Sequence, residues 1–129
     1  MSRFSETLMD HFTSPRNSGA MEAPDRVGRA GTLGQGPFMT LYLKLDGETV
    51  AEARYRTVGC GVSIACGSAL TELVAGRTVA GCLALTPEDV ASALDGVPPD
   101  KAHGPALAIA ALRDALAGVP PPEPNPAVG

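Results

Sequence analysis

Tryptophan is absent, and aromatic residues make up only 4% of the 129-residue chain. A core must therefore rest on Ala, Val, Leu and Ile, within an ordinary apolar fraction of 44%. The chain has no basic block either: 10 basic residues stand against 14 acidic ones, for a net charge of −4. Binding nucleic acid through its phosphates needs clustered Lys and Arg, so that class is excluded. No apolar run approaches the roughly 20 residues of a membrane span. Residues Met1 to Asp10 carry acids early and no small-residue cleavage site, which argues against a secretory signal. The three cysteines are odd in number, and no two have the two-residue spacing of a zinc knuckle or a thioredoxin-like site. Reduced thiols in a cytoplasmic protein are expected, not a disulfide framework. There is no phosphate loop, nucleophile elbow or dinucleotide fingerprint. No acid–base pair is visible, so the chain does not read as an enzyme.

What is present reads as one domain over residues 1–118, followed by a proline-rich, disordered tail over 119–129. Phe4, Leu8, Met9 and Phe12 recur at helical spacing, giving a helix over Ser2 to Phe12 that Ser14-Pro15 stops. A short strand is expected around Val27 to Leu33. In Phe38 to Leu45, Met39, Leu41, Leu43 and Leu45 share one face of a half-buried strand. Asp46-Gly47 signals a tight turn. Thr49 to Val58 alternates again, with Ala51, Ala53, Tyr55 and Thr57 on one face and Arg54 and Arg56 on the other. A helix follows over Ser63 to Ala75, and Gly76 fits a C-terminal cap. Val79 to Leu83 reads as a helical turn. Thr86-Pro87 opens a short helix, with Thr86 as N-cap. Pro105 to Ala117 is the last helix, striped by Ile109, Leu112 and Leu116 and ended by Gly118. The fold class is α+β: a small antiparallel sheet of about three strands with helices packed on one face.

Cys60 is the sharpest chemical feature. It stands between two glycines, after a strand and before a helix. The glycines permit a tight turn and leave the thiol uncovered, and a helix N-terminus stabilises a thiolate. A small buried hydrophobe at a turn is the bland alternative. Cys66, six residues on, could face the same loop or serve as a small core residue; the core reading is favoured. Cys82 sits in an apolar patch and reads as core. His103, before Gly104-Pro105, could be a ligand, a base or a cap, or simply a solvated residue. His11 reads as a partly exposed helix residue. One cysteine and one histidine do not complete a zinc site, which takes at least three protein ligands.

Four segments carry a family resemblance. Asp10-His11-Phe12 with Ser14-Pro15-Arg16-Asn17-Ser18-Gly19 looks like the N-terminal signature of the NifU/IscU-type iron–sulfur cluster scaffolds. Arg54 to Gly61 resembles the stretch leading into that family's second cluster cysteine. Ile64-Ala65-Cys66-Gly67-Ser68 with Thr71-Glu72 is similar to the helix after it. Val97-Pro98-Pro99-Asp100-Lys101-Ala102-His103 resembles the segment ahead of the third cysteine. The match spans about residues 3 to 117, in family order.

The resemblance implies the α+β fold read above and the transient assembly of a [2Fe–2S] cluster. Sulfur would come from a cysteine desulfurase, and the cluster would pass to iron–sulfur target proteins. It further implies a ligand set of three cysteines helped by an aspartate and a histidine, thiolates being soft donors suited to such clusters. Here Cys60 matches the second cysteine and His103 the histidine. Gln35 falls at the first cysteine, Pro37 at the aspartate and Gly104 at the third cysteine, so those ligand positions are lost. Cys66 replaces a residue that is typically small in the family, at a spacing that matches no missing ligand. The expected cofactor is a [2Fe–2S] cluster or iron, with zinc an option, or none, since the set is incomplete. Pro98, Pro99 and Lys101 fall where scaffold members meet a chaperone, with Asp100 replacing a hydrophobic residue. A homodimer that shares ligands is a further option. Three readings follow: a scaffold or carrier that holds metal through Cys60 as the main thiol with His103 and Cys66 assisting, a metal-free binding module that docks the desulfurase, and a persulfide acceptor at Cys60.

Overall fold

The structure, a computed structural model, describes residues 3–32 and 34–117. In chain order it runs α1 (Glu6–Thr13), β1 (Arg26–Gly31), β2 (Phe38–Asp46), β3 (Thr49–Val58), α2 (Gly61–Val74), α3 (Val79–Leu83) and α4 (Pro87–Ala93). A 3-10 turn (Pro99–Lys101) and α5 (His103–Leu116) complete it. The three strands form one antiparallel sheet in the order β1-β2-β3. The expected α+β class is what the chain adopts. The expected end of the last helix at Gly118 and the tail over 119–129 lie outside the described residues.

β2 and β3 form the hairpin, turning at Gly47, which takes a φ of +62° that suits glycine at a two-residue turn. Met39, Leu41 and Leu43 of β2 are fully buried on the face that carries the helices. The alternation assigned to β3 fails at one end. Val50 is buried and Ala51 is exposed, because the register shifts between Lys44 and Leu45. One bulged residue exchanges the faces of everything beyond it. Ala53 and Tyr55, on the near side of the bulge, are buried as expected.

α5 lies across β1 and β2, and α2 lies against β3. Gly28 of β1 makes the closest approach: a Cβ there would stand 2.1 Å from the Ala111 carbonyl oxygen and 2.3 Å from the Ala115 nitrogen. Arg29 N–H donates to Asp114 Oδ2 at 2.8 Å, fixing the same contact from the strand edge. α1 starts four residues later than its apolar periodicity suggested. Ser5 is its N-cap and accepts from the Leu8 N–H, which leaves Phe4 outside the helix yet packed against the core. α4 begins as read, with the Asp89 carboxylate accepting from both the N–H and the hydroxyl of Thr86. Among the described residues no helix is long and apolar enough to cross a membrane.

Candidate functional site

α2 begins two residues earlier than expected, so that Cys60 itself is its N-cap, in extended backbone with φ −81° and ψ 173°. α5 likewise begins two residues earlier, at His103. These two helix starts are neighbours. The half-buried Cys60 Sγ lies 3.8 Å from Nε2 of the exposed His103. Burial by itself would raise the Cys60 thiol. The backbone N–H of Ser63, the His103 ring, the Val62 N–H and the Ser63 hydroxyl outweigh it and bring the thiol down to about 7. The physical cause is the one expected at an open helix N-terminus, whose unpaired N–H groups favour the anion. Ser63, with Oγ 3.9 Å from Sγ, was not singled out from the sequence. Its position three residues past the N-cap was the available signal.

An apolar recess adjoins the thiol. Phe4, Leu8, Met9, Phe12 and Val62 line it, with Lys101 as its one charged side chain. The Phe12 ring rests on the first turn of α2, and a Cβ at Gly61 would be 2.8 Å from it. The missing side chain at Gly61, the first residue of α2, thus leaves room for this ring.

The other sequence-selected residues fall in different places. Cys66 is fully buried; burial, and then the negative charge at Cys60, push its thiol up to about 12. Its sulfur faces position 104, where a Cβ would come within 3.0 Å, so its placement is that of a core side chain. Cys82 is buried too. Gln35 and Pro37 are exposed in the loop before β2. Pro37 borders the Cys60 loop, since a Cβ on Gly59 would lie 3.4 Å from Pro37 Cβ. Gly104 is buried in the first turn of α5. Pro98 is half-buried just before the 3-10 turn that leads into α5, and Pro99 is exposed within it, where Asp100 pairs with Arg3.

His11 is a correction. It is buried, at 7% exposure, with Nδ1 2.7 Å from Ser68 Oγ. The Ser68 hydroxyl also accepts from the Arg16 N–H at 2.9 Å. Nε2 faces Glu72 Oε1 at 3.5 Å. Burial, and then the Arg16 charge, lower the His11 pKa against the opposing pull of Glu72 and Asp10. The neutral ring thus accepts from Ser68 and turns its Nε2–H toward Glu72. The Asp10–Ser14 stretch and the start of the following loop are fastened to α2 through this group.

A tetrahedral metal site or a [2Fe–2S] cluster takes four ligands. Cys60 and His103 supply two, and among the described residues no three His, Cys, Asp or Glu side chains converge. One chain alone does not fit a complete ligand set.

Comparison with known proteins agrees with this architecture. The nitrogen fixation protein NifU of Cereibacter sphaeroides is 45% identical over 109 residues, covering 84% of this chain but 44% of that protein. The iron–sulfur cluster assembly scaffold protein IscU 1 of Archaeoglobus fulgidus is 39% identical over 113 residues, covering 88% of this chain and 74% of that protein. The chain thus spans less than half the length of the first of these relatives. Among solved structures, the protein of Fervidobacterium Islandicum AW-1 assigned to iron–sulfur cluster assembly for the SUF system superposes with a TM-score of 0.72. It shares 22% identity, over 88% of this chain and 96% of that one, a likeness of fold. The family described as NifU-like N terminal domain matches residues 3–120, and the chain belongs to it.

Proposed function

We propose that this chain serves iron–sulfur cluster assembly as a scaffold-like carrier rather than an enzyme. Its cargo is iron or a [2Fe–2S] unit, held transiently through Cys60 with His103 assisting. The observation that carries the reading is the Cys60–His103 pair. A half-exposed thiol held down to about 7 stands 3.8 Å from an imidazole nitrogen, at the start of two adjacent helices. A thiolate and an imidazole at one point suit iron or zinc. Cys66 takes no part in this reading, since its sulfur is sealed in the core. A cysteine desulfurase is the expected sulfur donor and iron–sulfur proteins the expected recipients. The Pro98-Pro99 turn with Lys101 is the proposed chaperone contact. Anaerobic incubation with ferrous iron and sulfide tests the reading. Sulfur-to-iron charge-transfer absorption is expected in the wild type and not in Cys60→Ala; its absence from both overturns the assignment.

The same low thiol, with so few ligands beside it, favours a second reading: Cys60 accepts a persulfide sulfur. Its thiolate would attack the outer sulfur of a desulfurase persulfide, forming Cys60–S–S⁻ and releasing the donor cysteine as thiolate, with no net oxidation. Mass spectrometry after incubation with desulfurase and cysteine would show one added sulfur on Cys60, and an unmodified Cys60 overturns it.

A further inference from the structure

The metal-handling reading makes no use of the recess beside Cys60. α1 supplies most of its wall, through Leu8, Met9 and Phe12, and Val62 of α2 adds to it. Lys101 is its one charged side chain, and its volume is about 270 Å³. An apolar cavity of roughly 150 Å³ takes one benzene, so on the same scale the recess has room for roughly ten carbons.

Cys60 lines this space as well, and two separate features therefore meet at one sulfur. The first turn of α2, together with His103, makes it a nucleophile. α1 sets a hydrocarbon-walled space against it. His103 lies 3.8 Å from the sulfur but is not a wall of the recess. An occupant matched to both features is uncharged, carries an alkyl chain, and has an electrophilic carbon where the chain reaches Sγ.

We infer that the recess and Cys60 together form a covalent binding site for medium-chain α,β-unsaturated aldehydes, with the alkyl chain in the recess and the β-carbon at Sγ. The Cys60 thiolate adds to the β-carbon, and one C–S bond forms. The π electron pair of the carbon–carbon double bond moves to give the enolate, whose α-carbon takes a proton from water. No leaving group departs, and no oxidant or reductant is required. The alkyl arm is withdrawn from water between Met9 and Phe12, while the aldehyde arm stays at the mouth, on the side of the imidazole. A capped Cys60 no longer binds metal, so under the proposed function the adduct stops the carrier. The addition itself does not depend on that function.

The probe is a series of trans-2-alkenals added without metal to the full-length chain near neutral pH. Borohydride reduction fixes the adduct, and peptide mass spectrometry locates it. Each rate is divided by that of glutathione with the same alkenal, and each variant is scaled to its own iodoacetamide rate. The adduct is expected on Cys60, with the buried Cys66 unmodified. The relative rate should rise about two- to fourfold per added methylene, the upper figure being a methylene taken wholly out of water. The rise should level off at roughly ten carbons, when the recess is full. Met9→Gln, which puts an uncharged polar end into the recess, and Phe12→Ala, which removes part of its wall, should each flatten the rise. A Cys60 rate that does not depend on chain length, in wild type as in these variants, overturns the recess as the binding site. An adduct on Lys101 or a histidine in place of Cys60 overturns the nucleophile. Neither result touches the metal-handling reading, which fails separately, if untreated protein with iron and sulfide gives no charge-transfer absorption.

Discussion

Gly104 and Cys66 meet where α5 starts against α2: a Cβ on residue 104 would lie 3.0 Å from the Cys66 sulfur and 3.0 Å from Val62 Cγ1. The sulfur that fills the core at 66 thus occupies the space next to the side chain missing at 104. The two positions are coupled by packing. Gly104→Ala should gain less stability than a helical Gly→Ala normally does, about 1 kcal/mol, or lose some. In a Cys66→Ala background the same change should become more favourable, with a coupling of about 0.5–3 kcal/mol between neighbours. Urea unfolding of the four proteins measures it, and strict additivity would contradict the contact.

Only one of the three thiols should be reactive near neutrality. With its thiol held down to about 7, Cys60 should alkylate with iodoacetamide at a rate that is half-maximal near pH 7 and falls about tenfold for each unit below it. Cys66, pushed up to about 12 in the core, should remain unmodified until the protein unfolds. His103→Asn removes one of the causes that lower Cys60, so its profile should move to higher pH. Mass-resolved alkylation follows each site separately.

The sequence disclosed the helix-and-hairpin order because its apolar residues repeat at the two regular periods, and Cys60 stood out because glycines isolate it. Two things were hidden. The bulge between Lys44 and Leu45 has no residue signature, so Val50 was placed on the wrong face. His11 looks like a solvated helix residue until Ser68, 57 positions later, supplies the hydrogen-bond partner that lets it be buried. Local pattern cannot reveal a partner that the fold brings from afar. The nearness of Cys60 and His103 was suggested by family resemblance, and the structure places them at 3.8 Å. Spacing along the chain would never have given that distance.

The His11 contact has a pH consequence. Burial and the Arg16 charge hold its pKa below the ordinary histidine value of 6.5, so the unfolded chain binds a proton on this residue before the folded one does. Stability is then full above pH 6.5 and declines as pH falls through that value, levelling off below the folded pKa. Glu72 and Asp10, which pull the other way, limit the decline. His11→Gln should flatten the slope in this window. Ser68→Ala, which removes a partner from both the His11 ring and the Arg16 N–H, should cost about 1–3 kcal/mol at pH 8. Denaturation midpoints across pH 5–8 decide it, and an unchanged slope in His11→Gln would assign the pH dependence elsewhere.

Gly28 sets how close α5 can come to the sheet, and α5 carries His103 at its first residue. A methyl group at position 28 would meet the Ala111 carbonyl oxygen at 2.1 Å and the Ala115 nitrogen at 2.3 Å. Both are backbone atoms, so no rotamer change relieves the clash, and either β1 or the whole helix must move. Overpacking of this kind typically costs about 1–3 kcal/mol, and more where the backbone is involved. If the helix moves, His103 leaves Cys60. Gly28→Ala should therefore lower stability and also shift the alkylation profile of Cys60 toward higher pH, although residue 28 touches neither group. Loss of stability with an unaltered Cys60 profile would mean that β1 yields instead and that α5 is anchored from its other side, through α2. Either outcome identifies which element holds the imidazole against the thiol.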